Sequence, residues 1–167
     1  FIALGALHSL GRHEDELRVA RANVARRGLD WATGNAEVTA LAALGRTAEM
    51  DAALKRLEGV APYGGNTFGG PLLAAGWELI AHGSEAAGRE MFRRRLALYR
   101  AMPADQQPIY GIAIANSQLM IGDYPAAIRG YDSLTKAAPD NMVHWGNLWV
   151  AATLARKREG RAALQRA

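Results

Sequence analysis

The chain has 167 residues, half of them apolar, with a formal charge of +4 and no cysteine. That length suits one domain of ordinary size with a substantial core, and the missing cysteine excludes disulfides, thiolate metal sites and thiol nucleophiles. Basic and acidic residues are interspersed without a continuous basic stripe, so nucleic acid is not expected as a partner, and no apolar run approaches the length of a membrane span.

Alanine is abundant and β-branched residues are sparse, a bias toward helix because Ala loses no side-chain entropy there. The opening Phe1-Ile2-Ala3-Leu4 is already helical in pattern and has no charged leader, so the chain reads as a piece of a larger protein that starts inside a helix. The end at Ala167 reads as unfinished, with no polar capping helix behind it. The cytoplasm is favoured as compartment.

Four short marks punctuate the chain: Leu10-Gly11-Arg12, Leu44-Gly45-Arg46, Ile121-Gly122-Asp123 and Glu159-Gly160-Arg161. A looser one, His82-Gly83-Ser84, lies between the second and third. Successive glycines are 34, 38, 39 and 38 residues apart. Self-similarity at that period signals an array of helical hairpins with a turn at each mark.

Around the first turn stand His8, His13, Glu14 and Asp15. Two histidines five apart do not share one helical face, so a metal site would need the turn to fold them together; a solvated turn is the expectation. In the second unit Val38, Leu41 and Ala42 precede the mark at helical spacing, and Met50, Leu54 and Leu57 follow it. Thr47 is placed to cap the second helix, and Pro62 to end it. The glycine-rich run Tyr63 to Pro71 has neither the Lys-Ser/Thr ending nor the glycine order of a nucleotide loop, and reads as a connector.

In the third unit Gly76 and Gly88 interrupt helical patterns beside Leu79 and Phe92. Glycine inside a helix costs about 1 kcal/mol relative to alanine, which is tolerable where two backbones approach closely. Ala115 and Ala127 hold the corresponding places in the fourth unit. Arg93-Arg94-Arg95 reads as a solvated face with one buried stem. In the fourth unit Asp123 is a plausible cap, Pro125 falls in the first helical turn, and Ala127, Tyr131 and Leu134 line one face. Pro139 follows Gly122 by seventeen residues, the offset that separates Pro62 from Gly45. His82 and His144 stand apart in the sequence with no carboxylate partner that suggests catalysis. Arg93-Arg94-Arg95 and Arg156-Lys157-Arg158 could each contact an acidic partner or phosphates, but a solvated face with one buried stem is the expectation for both, and Trp145 is expected to pack.

Ala127, Tyr131 and Pro139 match the second half of a tetratricopeptide unit in residue type and spacing, Gly88 and Phe92 match part of it, and Trp145 and Leu148 match the opening of another. Glu16 departs from the pattern, standing where Ala is expected. The chain thus resembles the tetratricopeptide repeat, and more distantly the helical-repeat tails of multidomain bacterial regulators and kinases. The resemblance implies an all-α superhelix, a solenoid of about nine or ten antiparallel helices, over a single domain 1–167 with approximate units 1–30, 31–63, 70–103, 107–140 and 141–167.

It also implies a non-catalytic scaffold for protein–protein interaction, with a peptide or partner domain held in an inner groove. Asn35, Thr39, Leu73, Trp77, Ile80, Ile112, Asn116 and Leu119 fall on that face. No cofactor, metal or catalytic residue is expected. The alternative is a structural or oligomerisation module whose groove is filled by neighbouring domains or a second copy, as in a homodimer. A cleft grouping His8 or His82 with carboxylates would instead favour an enzyme.

Overall fold

A computed structural model describes residues 2–61 and 67–164. The fold is all-α: among the described residues there are nine α-helices, one 3-10 turn and no strand. In chain order the helices are α1 (Ile2–Ser9), α2 (His13–Arg27), α3 (Trp31–Ala43), α4 (Thr47–Leu57), α5 (Gly69–Ala81), α6 (Glu85–Arg100), α7 (Gly111–Ile121), α8 (Tyr124–Ala137) and α9 (Met142–Leu164). The 3-10 turn, Gln107–Tyr110, precedes α7. No described helix is long and apolar enough to cross a membrane.

The glycine marks have a common physical cause. Gly11, Gly45, Gly83 and Gly122 all have positive φ, between 68° and 85°. At each, the glycine N–H donates to the carbonyl three residues back, and the next N–H reaches the carbonyl five back. Gly45 bonds to Ala42 at 3.0 Å and Arg46 to Leu41 at 2.9 Å, while Gly122 bonds to Leu119 at 3.1 Å and Asp123 to Gln118 at 2.9 Å. This is the Schellman cap, which satisfies the last carbonyls of one helix and requires a left-handed residue. Gly160 is different: α9 runs through it without a break, so the expected fifth turn is absent. The reversal needs left-handed backbone, and there the chain stays helical.

Other local expectations divide. Asp123 caps α8 by accepting from the Ala126 N–H at 3.3 Å, and Pro125 lies in that helix's first turn. Thr47 is the first residue of α4 and not its cap; the preceding position is Arg46, which makes no side-chain cap. The expected connector ends earlier than its composition suggests. Gly69, Gly70 and Pro71 form the first turn of α5, where proline's missing N–H is harmless. Pro62 and Tyr63 to Asn66 lie outside the described residues, and α4 has already ended at Leu57. A cap that composition did not single out is Asp30, which accepts from the Thr33 N–H at 2.8 Å; that bond holds its carboxyl below the usual range.

The described residues form two compact units, Phe1–Met91 and Phe92–Ala167, with the boundary inside α6. In the first, α1 packs on α2, α2 on α3, and α3 on both α4 and α5. Val38, Leu41, Ala42, Met50, Leu54, Leu57, Leu72 and Leu79 are buried there. Helices α5 and α6 meet at Gly88, where a Cβ would come within 2.7 Å of the Gly76 carbonyl oxygen and 2.6 Å of Ile80 Cγ1. In the second unit α7 packs on α8 and α8 on α9. Its core is Ala115, Ala127, Tyr131 and Ala151, flanked by Leu119, Ile128, Leu134 and Leu148.

Two helix-interior glycines should therefore respond oppositely to alanine. Gly88→Ala forces a methyl against backbone and should lower stability by about 1–3 kcal/mol. Gly146 in α9 has no atom within 4 Å of the place a methyl would take, so Gly146→Ala should raise stability by about 0.5–1 kcal/mol. Urea unfolding followed by circular dichroism measures both; equal effects of one sign would contradict the packing at Gly88.

Candidate functional site

The Schellman turn at Gly11 folds the end of α1 onto the start of α2. His8 and His13 are thereby brought together, with ring centroids 5.0 Å apart and the planes crossed at 60°. Glu16 lies one turn beyond His13 on the same face of α2. Its side chain is buried, 3% exposed, and its Oε2 faces His8 Nδ1 at 2.9 Å and His13 Nδ1 at 3.5 Å. Helix α5 completes the group. Glu78 faces the other ring nitrogen of His8, Nε2, at 3.3 Å, and lies 3.5 Å from His82 Nε2. The His82 ring meets His13 edge-on at 5.2 Å.

Two expectations are corrected by this arrangement. The first turn is not simply solvated, because its histidines close over a buried carboxylate. His82 does not stand apart; chain reversal at Gly83 leaves it beside Glu78 and His13. His144 does remain separate, within hydrogen-bond reach of Asn141 and the Leu134 carbonyl. Glu16 and Glu78 together raise the pKa of His8 against the opposing effect of burial, which is the largest single influence.

His8 and Glu16 also line a cleft of about 520 Å³ with Leu4, Trp31, Asn35 and Thr39. The Asn35 Oδ1 in that cleft is buried with no hydrogen-bond partner. Thr39 Oγ1 donates to the Asn35 carbonyl at 2.7 Å. A second buried carboxylate nearby in sequence, Glu37, is handled differently: Arg21 Nε donates to it at 3.0 Å and Arg56 Nη2 at 2.6 Å.

The remaining groove-face residues lie on helices of different units. Leu73, Trp77 and Ile80 follow one another on α5 at helical spacing; Leu73 and Ile80 are half-buried and Trp77 is 49% exposed. Ile112, Asn116 and Leu119 lie half-buried on α7 in the second unit. Asn116 Oδ1 accepts from the Tyr131 hydroxyl, and Leu119 packs on the Tyr131 core. Asn116 is thus already engaged within its own unit. Arg95 is the buried stem of its triplet, donating through Nη1 to the Ala113 carbonyl at 3.0 Å and to Ser117 Oγ at 3.1 Å.

Trp145 overturns its expectation. It is 46% exposed, and its Nε1 donates to the Pro139 carbonyl at 2.8 Å. Met142, Val143, Trp149, Val150 and Leu154 on α9 are exposed as well, with Met142 at 76% and Trp149 at 67%. Only Ala151 of that helix is fully buried among its described side chains.

Comparison with protein-family models, with curated proteins and with solved structures gave no match in any of the three.

The burial of Tyr131 has a measurable signature. Burial pushes the Tyr131 phenol up to about 12, against the opposing pull of Arg95. An unfolded tyrosine ionises near pH 10, so the folded state favours the neutral phenol. Its contribution to stability is complete below that pH and is lost as pH climbs toward the folded value. Tyr131 should ionise late in an alkaline absorbance titration of the folded chain, and Tyr131→Phe should remove that late step. Simultaneous ionisation of all five tyrosines, with the helical signal intact, would refute the burial.

Proposed function

We propose that the chain is a tetratricopeptide-like helical-repeat module, non-catalytic, that serves as a protein-interaction scaffold. In this reading the hairpins α1–α2, α3–α4, α5–α6 and α7–α8 are successive repeats stacked as a solenoid, with α9 opening the next. Regular recurrence of the Schellman turn supports it.

One observation carries the binding role. At 100° per residue, Met142, Trp145, Trp149 and Arg156 fall within about 60° of one another on α9. All four are exposed. An apolar row with a basic end suits an amphipathic partner segment that brings apolar anchors and carboxylates. Large aromatic anchors bury much area with few rotatable bonds, and the rigid helix beneath them lowers the ordering cost of association. The partner is thus an acidic amphipathic segment of another protein.

Tryptophan fluorescence of the full chain, titrated with an acidic amphipathic peptide and with its charge-reversed counterpart, tests this. The acidic peptide should shift the emission and the basic one should not. Trp149→Ala should cost about 2 kcal/mol or more of binding, as expected of a central aromatic anchor. A concentration-dependent dimer by light scattering, dissociated by Trp149→Asp, would mean that a second copy covers this face, and the scaffold reading would fall.

A further inference from the structure

Three of the chain's four histidines converge in the first unit, and the way they meet points to a ligand. A buried carboxylate needs compensating charge or hydrogen bonds. Glu37 obtains both from two arginines. Glu16 Oε2 faces two imidazole nitrogens instead, His8 Nδ1 at 2.9 Å and His13 Nδ1 at 3.5 Å.

The donor atoms have metal-site spacing. One nitrogen of His8, one of His13 and a carboxylate oxygen of Glu16 all lie within 4.8 Å of one another. Tetrahedral zinc with bonds of about 2.0–2.1 Å places neighbouring ligand atoms about 3.3 Å apart. The observed separations from Glu16 Oε2, 2.9 Å to His8 and 3.5 Å to His13, bracket that edge.

A second, independent feature is the far side of His8. When Nδ1 serves as ligand, Nε2 must carry the proton, and metal-bound imidazoles characteristically donate that N–H to a carboxylate. Glu78, from a different helix, stands there at 3.3 Å. This contact would fix both the tautomer and the ring orientation that coordination requires. The cleft beside His8 and Glu16 gives a fourth ligand, water or a small molecule, a way in.

We infer that His8, His13 and Glu16 form a binding site for Zn²⁺ or a closely related divalent transition ion, with Glu78 as the positioning residue. Two imidazoles and one carboxylate suit such ions and not Mg²⁺ or Ca²⁺, which favour all-oxygen shells. The ion replaces the exchangeable protons around Glu16 with a fixed double charge and ties α1 to α2 across the Gly11 turn. This site is independent of the peptide-binding role proposed for α9.

The test uses the full chain without a purification tag, stripped of metal and titrated with Co²⁺, whose visible absorption reports coordination. A band that saturates at one ion per chain, is abolished by added Zn²⁺ and is indifferent to Mg²⁺ is expected. His8→Ala and His13→Ala should remove the band, and Glu78→Gln should weaken binding about 10–100-fold without changing the stoichiometry. His144→Ala should leave the band unaltered. Since Glu16→Gln could unfold the unit, Glu78→Gln carries the test of position, with its metal-free helical signal measured alongside. Absence of the band, or equal losses in His13→Ala and His144→Ala, would overturn the site and leave an imidazole–carboxylate network alone.

Discussion

The structure depends on one repeated constraint: a helix can reverse at the marks only where a glycine accepts left-handed backbone. The two bonds of the Schellman cap satisfy carbonyls that the end of a helix would otherwise leave exposed or unpaired. An L-residue in that conformation costs roughly 1–2 kcal/mol. Four positions carry this constraint with the same pair of bonds. Each fixes the entry of the following helix, and hence which of its faces is offered to the helix before. Core packing, the Gly88 crossing and the meeting of His8 with His13 all follow from chain directions set at these turns.

With its helices so directed, the chain buries charge in three distinct ways. Glu37 is neutralised by Arg21 and Arg56, whose own heads stay half in water, so only one member of the group bears full desolvation. Arg95 is itself buried and donates to a helix carbonyl and a serine hydroxyl; burial pulls its pKa down. Glu16 has imidazoles. Guanidinium is always charged, whereas imidazole near neutral pH is not. The same fold therefore treats two similarly buried carboxylates by different chemistries.

Local features are legible in the sequence. The glycine period, the Asp123 cap with Pro125 behind it, and the buried rows of α3, α4 and α8 depend on residues a few positions apart, which is the range that helical geometry ties together. Gly76 and Gly88 are readable because a glycine in a helix demands a reason. What escapes depends on distance or on context. His82 and Glu78 reach the first hairpin across some seventy residues of chain, a separation at which no periodicity operates. Glu16 is visible only as a poor repeat residue, although a carboxylate at a position that favours alanine is itself the trace of a polar site. Trp145 and Gly160 invite analogy with the earlier units, and α9 departs from those units in both respects.

The polar cluster and the groove-face residues of the first unit are not separate matters. Asn35 and Thr39 share a cleft with His8 and Glu16, so α3 presents its polar side chains to the same space that the turn histidines border. An acceptor such as Asn35 Oδ1, buried and unpartnered, costs free energy until a donor arrives. Loading the ion restrains His8, which forms part of the cleft wall, and so reduces what an occupant must order on entry. In this unit, then, Glu16 gives up some apolar burial, and what it provides is a polar wall to the cleft, shared with His8.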